Sequence, residues 1–357
     1  MNKLVSIIIL TYNNSKYYNQ CLSSIFRQSY NNIEIIISDD CSDKFNEYEI
    51  KKFIDLNKKE SIKNIIINKN KENIGIVKNY NKALKLTKGQ YIFYLCMDDA
   101  FYDERVIEDC VNYFERTEYD IFTGYKDVYD ETLNNYIRTL PRYNEVEFLK
   151  ENNAKKLYEK LCLGSFISGS NTPFSRRILD KYGYLDEDYN YLEDYPRYLN
   201  ISKSGCKIGF FNRKIIKYRL GGITTSGIIN KKLLQDLKLV TEKECIDYLK
   251  KNWNKEWLKT KKLIAWGSGD CFINSLNKVD RKFEYIIDSN EDIQGNKIED
   301  MKVFKPEILL NENKDEIFIL IFTYANYFDI IPWLEEHGFE EKEHFFVCNP
   351  NILEVIK

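Results

Sequence analysis

Histidine is nearly missing from this chain of 357 residues: the two present, His337 and His344, both fall near its carboxyl end. Everything before His337 therefore lacks the commonest general base, and a Ser-His-Asp triad is excluded there. Nine cysteines stand singly at 21, 41, 96, 110, 162, 206, 245, 271 and 348. None forms a CxxC pair, so neither a zinc knuckle nor a disulfide framework is indicated. The longest apolar runs, "VSIIIL" and "IFILIF", fall far short of the ~20 residues that span a bilayer. The opening "MNKLVSIIILTYNN" is too short in its apolar part for a signal peptide and has no small-residue cleavage site. The expectation is a cytoplasmic protein, free or peripheral at the inner face of the membrane. Charge of one sign is lacking too. The formal net charge is -2, which gives no support to a nucleic-acid partner or an anionic membrane surface.

What is present is an ordered, globular composition, 43% hydrophobic and 30% charged with only 6 prolines, in a chain long enough for two domains with separate cores. "LVSIIILTYN" (4–13) is a short apolar, β-branched run that stops in a polar turn, as a buried parallel strand does. "SKYYNQCLSSIFRQ" (15–28) has helical spacing at Tyr18, Cys21, Leu22 and Ile25, with Ser15 as the expected N-cap. "NIEIIISDD" (32–40) repeats the strand pattern. A helix over 47–59, a strand "IKNIIINKN" and a helix over 75–87 lead to the strand "YIFYLC" (91–96). Strand and helix alternate, which predicts an α/β fold with a mostly parallel sheet.

Two acidic pairs, Asp39-Asp40 and Asp98-Asp99, then sit at carboxyl ends of strands in one sheet, where ligands of open α/β sheets bind. Either pair alone reads as an ordinary polar turn; their joint placement points to function. A nucleoside diphosphate needs a divalent cation held by oxygen ligands, which adjacent carboxylates supply. Its base needs an acceptor at the ring edge, a role open to Asp39 or Asp40. "ENIGIVKN" offers Gly75 for close backbone approach and Lys78 as a cation at the opening of a helix.

Five motifs occur in order: "VSIIILTYN", "IIISDDCSD", "NIGIVKNYNKAL", "KGQYIFYLCMDD" and "YLEDYPR". Through about residue 225 the chain closely resembles the family 2 GT-A glycosyltransferases, inverting enzymes that use nucleotide-activated sugars. The resemblance implies that Tyr12, flanked by Thr11 and Asn13, packs on the base and that Asp40 reads the edge of a uracil-like ring. It implies that Asp98 touches the ribose and Asp99 a manganese or magnesium ion, with Asp98 as a second metal residue. The family's metal motif opens with an aspartate where this chain has Cys96, a poor ligand for either ion. The general base falls on Asp194 of the "ED" pair. Glu193 is either an orienting neighbour or a solvated, N-capping acid, and Arg197, one helical turn on, is expected to pair with Glu193. The metal and Lys78 would stabilise the departing diphosphate.

The implied reaction is transfer of a sugar of GlcNAc, Glc or Gal type from a UDP-sugar. The acceptor would be a hydroxyl of a glycan, a lipid-linked precursor or a protein, as in cell-surface glycan assembly or protein glycosylation. A glycoside hydrolase, which also uses two acids, would leave Tyr12, Asp40 and Asp98 without purpose. The non-enzymatic alternative is a nucleotide-sugar-binding scaffold with a decayed site, for which Cys96 is the best support.

The expected domains are a GT-A catalytic domain over 1–228, a helical connector over 229–259 and a smaller Rossmann-like α/β domain over 260–357. "GSFISGSNTPFSRRILDKYGYLDEDYNYLEDYPRYLNISKSG" (164–205) reads as a substrate-facing region built from loops, and "GGITTSG" (221–227) as a lid. "WGSGDCF" (266–272) followed by Asp288 has the outline of a dinucleotide fingerprint, but Phe272 stands where the third glycine belongs. Packing, homo-oligomerisation or acceptor docking is the expected role of that domain, with NAD binding the alternative. A surface position is expected for His337 and His344.

Overall fold

A computed structural model describes residues 2–221, 231–254, 256–323 and 327–356. They divide into two compact units, residues 1–157 with 167–236 and residues 158–166 with 237–357. The expected boundary at 228, and "GGITTSG" beyond Gly221, lie outside the described residues.

The first unit carries nine strands: β1 (Val5–Thr11), β2 (Ile33–Asp39), β3 (Ile62–Lys69), β4 (Tyr91–Cys96), β5 (Ala100–Phe101), β6 (Phe122–Tyr129), β7 (Tyr136–Leu140), β8 (Phe174–Ser175) and β9 (Gly209–Arg219). One sheet has the order β3-β2-β1-β4-β8, parallel except for the short β8. Every residue of β1 and β2 is buried, because helices cover both faces. Successive side chains point to opposite faces. Ile7 and Ile9 thus pack with Cys21, Leu22 and Ile25 of helix α1 (Tyr18–Phe26), near Ile50 and Ile54 of α2 (Glu47–Asn57). Ile8 and Leu10 pack with Tyr80, Ala83 and Leu84 of α3 (Ile76–Leu86). The alternation that buries both faces is what makes the strand read as an unbroken apolar run.

The order places β2 and β3 on one side of β1 and β4 on the other, so the connections reverse between β1 and β4. That is where a crevice opens at the carboxyl ends of such a sheet. Register sets the ends level: Thr11 pairs with Asp39 and Leu10 with Cys96. Asn13 and Cys41, the turn residues beyond β1 and β2, take left-handed φ values of 56° and 65°. A second sheet of order β5-β9-β6-β7 brings Arg219, at the end of β9, to the residues following β4.

Two local expectations are corrected. Ser15 opens a single 3-10 turn, Ser15–Tyr17, rather than capping α1, and its hydroxyl donates to the Lys44 carbonyl. The region 164–205 is more ordered than a run of loops: it holds helices Arg176–Tyr182 and Tyr195–Lys203, each with an apolar side buried.

The second unit holds a sheet of order β12-β13-β11-β10-β14-β15, with β10 (Lys262–Trp266), β11 (Tyr285–Ile287), β12 (Lys297–Ile298), β13 (Met301–Phe304), β14 (Ile317–Phe322) and β15 (Phe345–Cys348). All neighbours pair in parallel except β12 with β13. Residues 158–166, expected in the first domain, belong here. Leu161, Cys162 and Leu163 are buried, Tyr327 Oη donates to the Lys160 carbonyl, and Asn349 Nδ2 donates to that of Leu163. After β10, Gly267 has φ 104° and sits against the Phe322 carbonyl, where any Cβ would collide. Asp288 accepts from the backbone and hydroxyl of Ser268, at 3.0 and 2.6 Å, and the helix that follows is only Asp270–Ile273. The acid that a dinucleotide fingerprint assigns to a ribose is here spent on the glycine turn itself. The two histidines are half-buried rather than on the surface: His337 stacks on Trp333, and His344 Nδ1 accepts from the Glu340 N–H.

Candidate active site

Three turns converge at the carboxyl ends of β1, β2 and β4. Tyr12, first after β1, is 49% exposed, an aromatic face left open at the mouth of the crevice. The turn beneath it is locked. Thr11 Oγ1 donates to Asn14 Oδ1 at 2.6 Å, Asn13 N–H donates to Ser42 Oγ, and Asn14 Nδ2 donates to Asp98 Oδ1 at 3.0 Å. Asn14 thus couples the β1 turn to the β4 turn, a role the sequence did not signal.

The two aspartates after β2 diverge. Asp39 is consumed locally, accepting from the backbone and hydroxyl of Ser42. Asp40 accepts from the Ile74 and Gly75 N–H groups at 3.0 and 2.9 Å and from Asn70 Nδ2 at 2.9 Å. Of the roughly four acceptor positions of a carboxylate, three are filled by the loop that leads into α3. Gly75 needs its φ of 88°, and a Cβ there would press on the Asn190 carbonyl at 3.3 Å. Lys78 stands exposed in the first turn of α3.

Beyond β4, ligand atoms of Cys96, Asp98 and Asp99 all lie within 4.8 Å of one another. Asp99 is buried. Its Oδ1 accepts from the Arg219 N–H at 2.9 Å, while Oδ2 has no hydrogen-bond partner. Burial, and then the neighbouring charge of Asp98, push the Asp99 carboxyl well above the usual carboxylate range. Burial raises Asp98 as well. A buried acceptor without a partner beside a second carboxylate is the environment a hard dication satisfies, so these residues fit manganese or magnesium. Burial and the charges of Asp98 and Asp99 push the Cys96 thiol well up, its sulfur contacts Tyr94 Oη at 3.1 Å, and a soft sulfur suits neither ion. Arg219, overlooked in the sequence, braces the cluster. Its Nε donates to the Asp98 carbonyl at 2.8 Å, and its guanidinium lies 3.9 Å from the Tyr17 ring centroid.

The fourth element is the "ED" pair. Asp194 caps helix Tyr195–Lys203, with Oδ1 accepting from the Tyr195 N–H at 2.6 Å and Oδ2 from the Gly169 N–H at 2.8 Å. Capping therefore falls on Asp194 and not on Glu193. Burial pushes both carboxyls up. Glu193 goes well above its usual range, with Asp194 adding to the push, whereas the two backbone N–H groups restrain the rise of Asp194. Arg197 does not pair with Glu193. Its guanidinium donates to the carbonyls of Tyr182, Ile178 and Gly183 and so caps the end of helix Arg176–Tyr182. Lys126 on β6, unmarked in the sequence, adds a half-buried cation whose charge acts on Asp99, Glu193 and Asp194 alike.

Residues 6–183 match the family described as glycosyl transferase family 2. They belong to that family, and the chain is a glycosyltransferase. Among curated relatives, an uncharacterized glycosyltransferase of Haemophilus influenzae is 27% identical across 70% of this chain and 75% of its own. The UDP-Glc:alpha-D-GlcNAc-diphosphoundecaprenol beta-1,3-glucosyltransferase WfaP of Escherichia coli is 29% identical across 65% of this chain and 84% of its own. Among solved structures, S. aureus TarS 1-349 in complex with UDP-GlcNAc superposes with a TM-score of 0.51 at 16% identity, covering 72% of this chain and 76% of that one. The glycosyltransferase has the GT-A fold, with an additional sheet domain on its carboxyl side. No helix among the described residues is long and apolar enough to cross a membrane.

Proposed function

We propose that this glycosyltransferase moves a sugar, with inversion, from a UDP-sugar to a hydroxyl of a glycan, lipid-linked or protein acceptor, aided by magnesium or manganese. The observation that carries the reading is Asp99 Oδ2, buried and unpartnered beside Asp98 at the switch point of the sheet. The donor named for the Escherichia coli relative, UDP-Glc, supports a uridine nucleotide, and its diphosphoundecaprenol acceptor favours the lipid-linked case.

In this reading the open face of Tyr12 stacks on the base, within the turn formed by Thr11 and Asn13. Asp40 fixes the Gly75 loop and offers its remaining acceptor position to the base edge. Asp98 and Asp99 would hold the metal, which supplies charge neutralisation to the leaving diphosphate when bound, and Lys78 adds a cation on the solvent side. Asp194, whose carboxylate accepts two backbone N–H groups, takes the proton of the acceptor hydroxyl as that oxygen attacks the anomeric carbon. Glu193 carries the proton when the pair holds a single charge. The two acids thereby take separate roles, Asp194 as base and Glu193 as its neutral neighbour.

A panel of UDP-sugars with and without manganese tests the reading, scored by thermal shift and then by UDP release. A metal-dependent stabilisation by at least one UDP-sugar, with slow UDP release from the same donor, is expected. Equal shifts with GDP- and UDP-sugars, or none with any nucleotide sugar, would refute it.

A further inference from the structure

Lys126 has no place in the motifs, yet its charge acts on three of the site's carboxyls, Asp99, Glu193 and Asp194. Its Nζ donates to Ser168 Oγ at 2.8 Å and lies 4.3 Å from the Tyr218 ring centroid. Ser168 opens the 3-10 turn Gly169–Asn171. The turn is closed by Thr172 Oγ1 donating to the Ser168 carbonyl at 2.6 Å, and it is tied to β6 by Asn171 Nδ2 donating to Thr123 Oγ1 at 3.1 Å. The next residue along, Gly169, donates its N–H to Asp194 Oδ2. A Cβ at Gly169 would stand 3.3 Å from Asp194 Cβ and 3.5 Å from Glu193 Oε1, so the turn lies directly against the acidic pair. One turn thus grips the lysine through one residue and the aspartate through its neighbour.

The charge arrangement points the same way. Four carboxyls, Asp98, Asp99, Glu193 and Asp194, line one site, and burial pushes each of them toward its protonated form. Arg219 acts on the first two, whereas Lys126 acts on Asp99 and on both members of the second pair. Around Glu193 and Asp194 the other titratable neighbours are Tyr80 on α3, Tyr94 and Cys96 on β4, and Tyr198 on the helix that Asp194 caps. Burial pushes all four well up, so they stay uncharged through the neutral range. Burial lowers the pKa of the Lys126 ammonium itself; Asp99, Asp194 and Cys96 counter that fall, and Arg138 adds to it.

We propose that Lys126 is a positioning residue of the transfer reaction, its ammonium gripping Ser168 and, through the 169–171 turn, holding Asp194 oriented toward the acceptor hydroxyl. The inference rests on the reading of Asp194 as the base. Losing the cation should make the pair harder to ionise, because an opposite charge nearby lowers a carboxyl's pKa and its removal raises it.

The test is the pH profile of transfer, with infrared titration of the carboxyl band, assigned by its loss in Glu193→Gln and Asp194→Asn, as a readout that needs no donor. In Lys126→Met the acidic limb and the infrared midpoint should both move to higher pH by about one unit, while Lys126→Arg keeps them at parental positions. Ser168→Ala, which removes one hydroxyl, should lower kcat several-fold with the donor KM unchanged. That variant decides the matter even where Lys126→Met does not fold. Unmoved midpoints in Lys126→Met, or a parental kcat in Ser168→Ala, would overturn the proposal. If the parent transfers from no donor but the infrared midpoint moves as stated, the functional reading fails and the tuning of the pair by Lys126 stands.

Discussion

A carboxylate oxygen buried without a hydrogen-bond partner costs on the order of 1–3 kcal/mol, and Asp99 Oδ2 is in that state. A bound dication would offset such a cost at Asp99, whereas Asp39 accepts from Ser42. The division within the second acidic pair carries a sharper consequence. Asp194→Asn keeps the shape of the side chain but can accept from only one of the two backbone N–H groups, Tyr195 or Gly169, and it cannot take a proton. It should bind UDP and manganese as the parent does while transfer falls by ~10²–10⁴-fold. Glu193→Gln, which mimics the protonated neighbour, should lose far less; the reverse ranking in steady-state assays would move the base to Glu193. The direction of the pKa shifts fixes the sign of the pH dependence. Burial raises the folded-state pKa of Asp194 above that of a free aspartate, so activity should fall with acidification at a pH above the usual aspartate range. A limb in the parent at the pH of an unperturbed aspartate would contradict this.

At the scale of elements, the strand–helix alternation of the first unit was legible because β1, β2 and β4 are buried on both faces and therefore read as unbroken apolar runs. The same runs end where the site begins, which is why Tyr12, Asp40, Asp98 and Asp99 could be named without a structure. Other residues were not legible. Lys126, Arg219 and Asn14 reach the site through cross-strand and cross-turn contacts separated by tens of residues, and nothing in their own neighbourhoods marks them. Helical spacing also misdirected the reading of Arg197, since an i,i+4 offset from Glu193 says nothing when Glu193 lies before the helix and Asp194 is its cap. The Gly75 turn offers an element-level test. Its φ of 88° and ψ of 162° lie in a region that is essentially glycine-only, so Gly75→Ala should cost about 1–3 kcal/mol. Because Asp40 accepts from the Gly75 N–H, UDP affinity should fall together with the melting temperature. Parental stability in denaturant melts would mean that the turn relaxes freely.

For the whole molecule, the division of the chain matters to how it can be cut. Every proposed donor-side residue lies in the first unit, but residues 158–166 belong to the second, with Leu161, Cys162 and Leu163 buried. A protein ended after Asp236 should therefore still bind UDP with manganese, yet melt at lower temperature with Leu161, Cys162 and Leu163 uncovered. Undiminished thermal stability would show that this segment needs no cover. The glycosyltransferase reading itself comes down to whether the strand-end carboxylates form a metal-dependent nucleotide site. Isothermal calorimetry of UDP against the parent protein and Asp99→Ala, each with and without manganese, tests it most directly. The parent should bind UDP clearly more tightly with manganese than without, and Asp99→Ala should lose that difference. Equal manganese-dependent affinity in the two proteins would contradict the assignment.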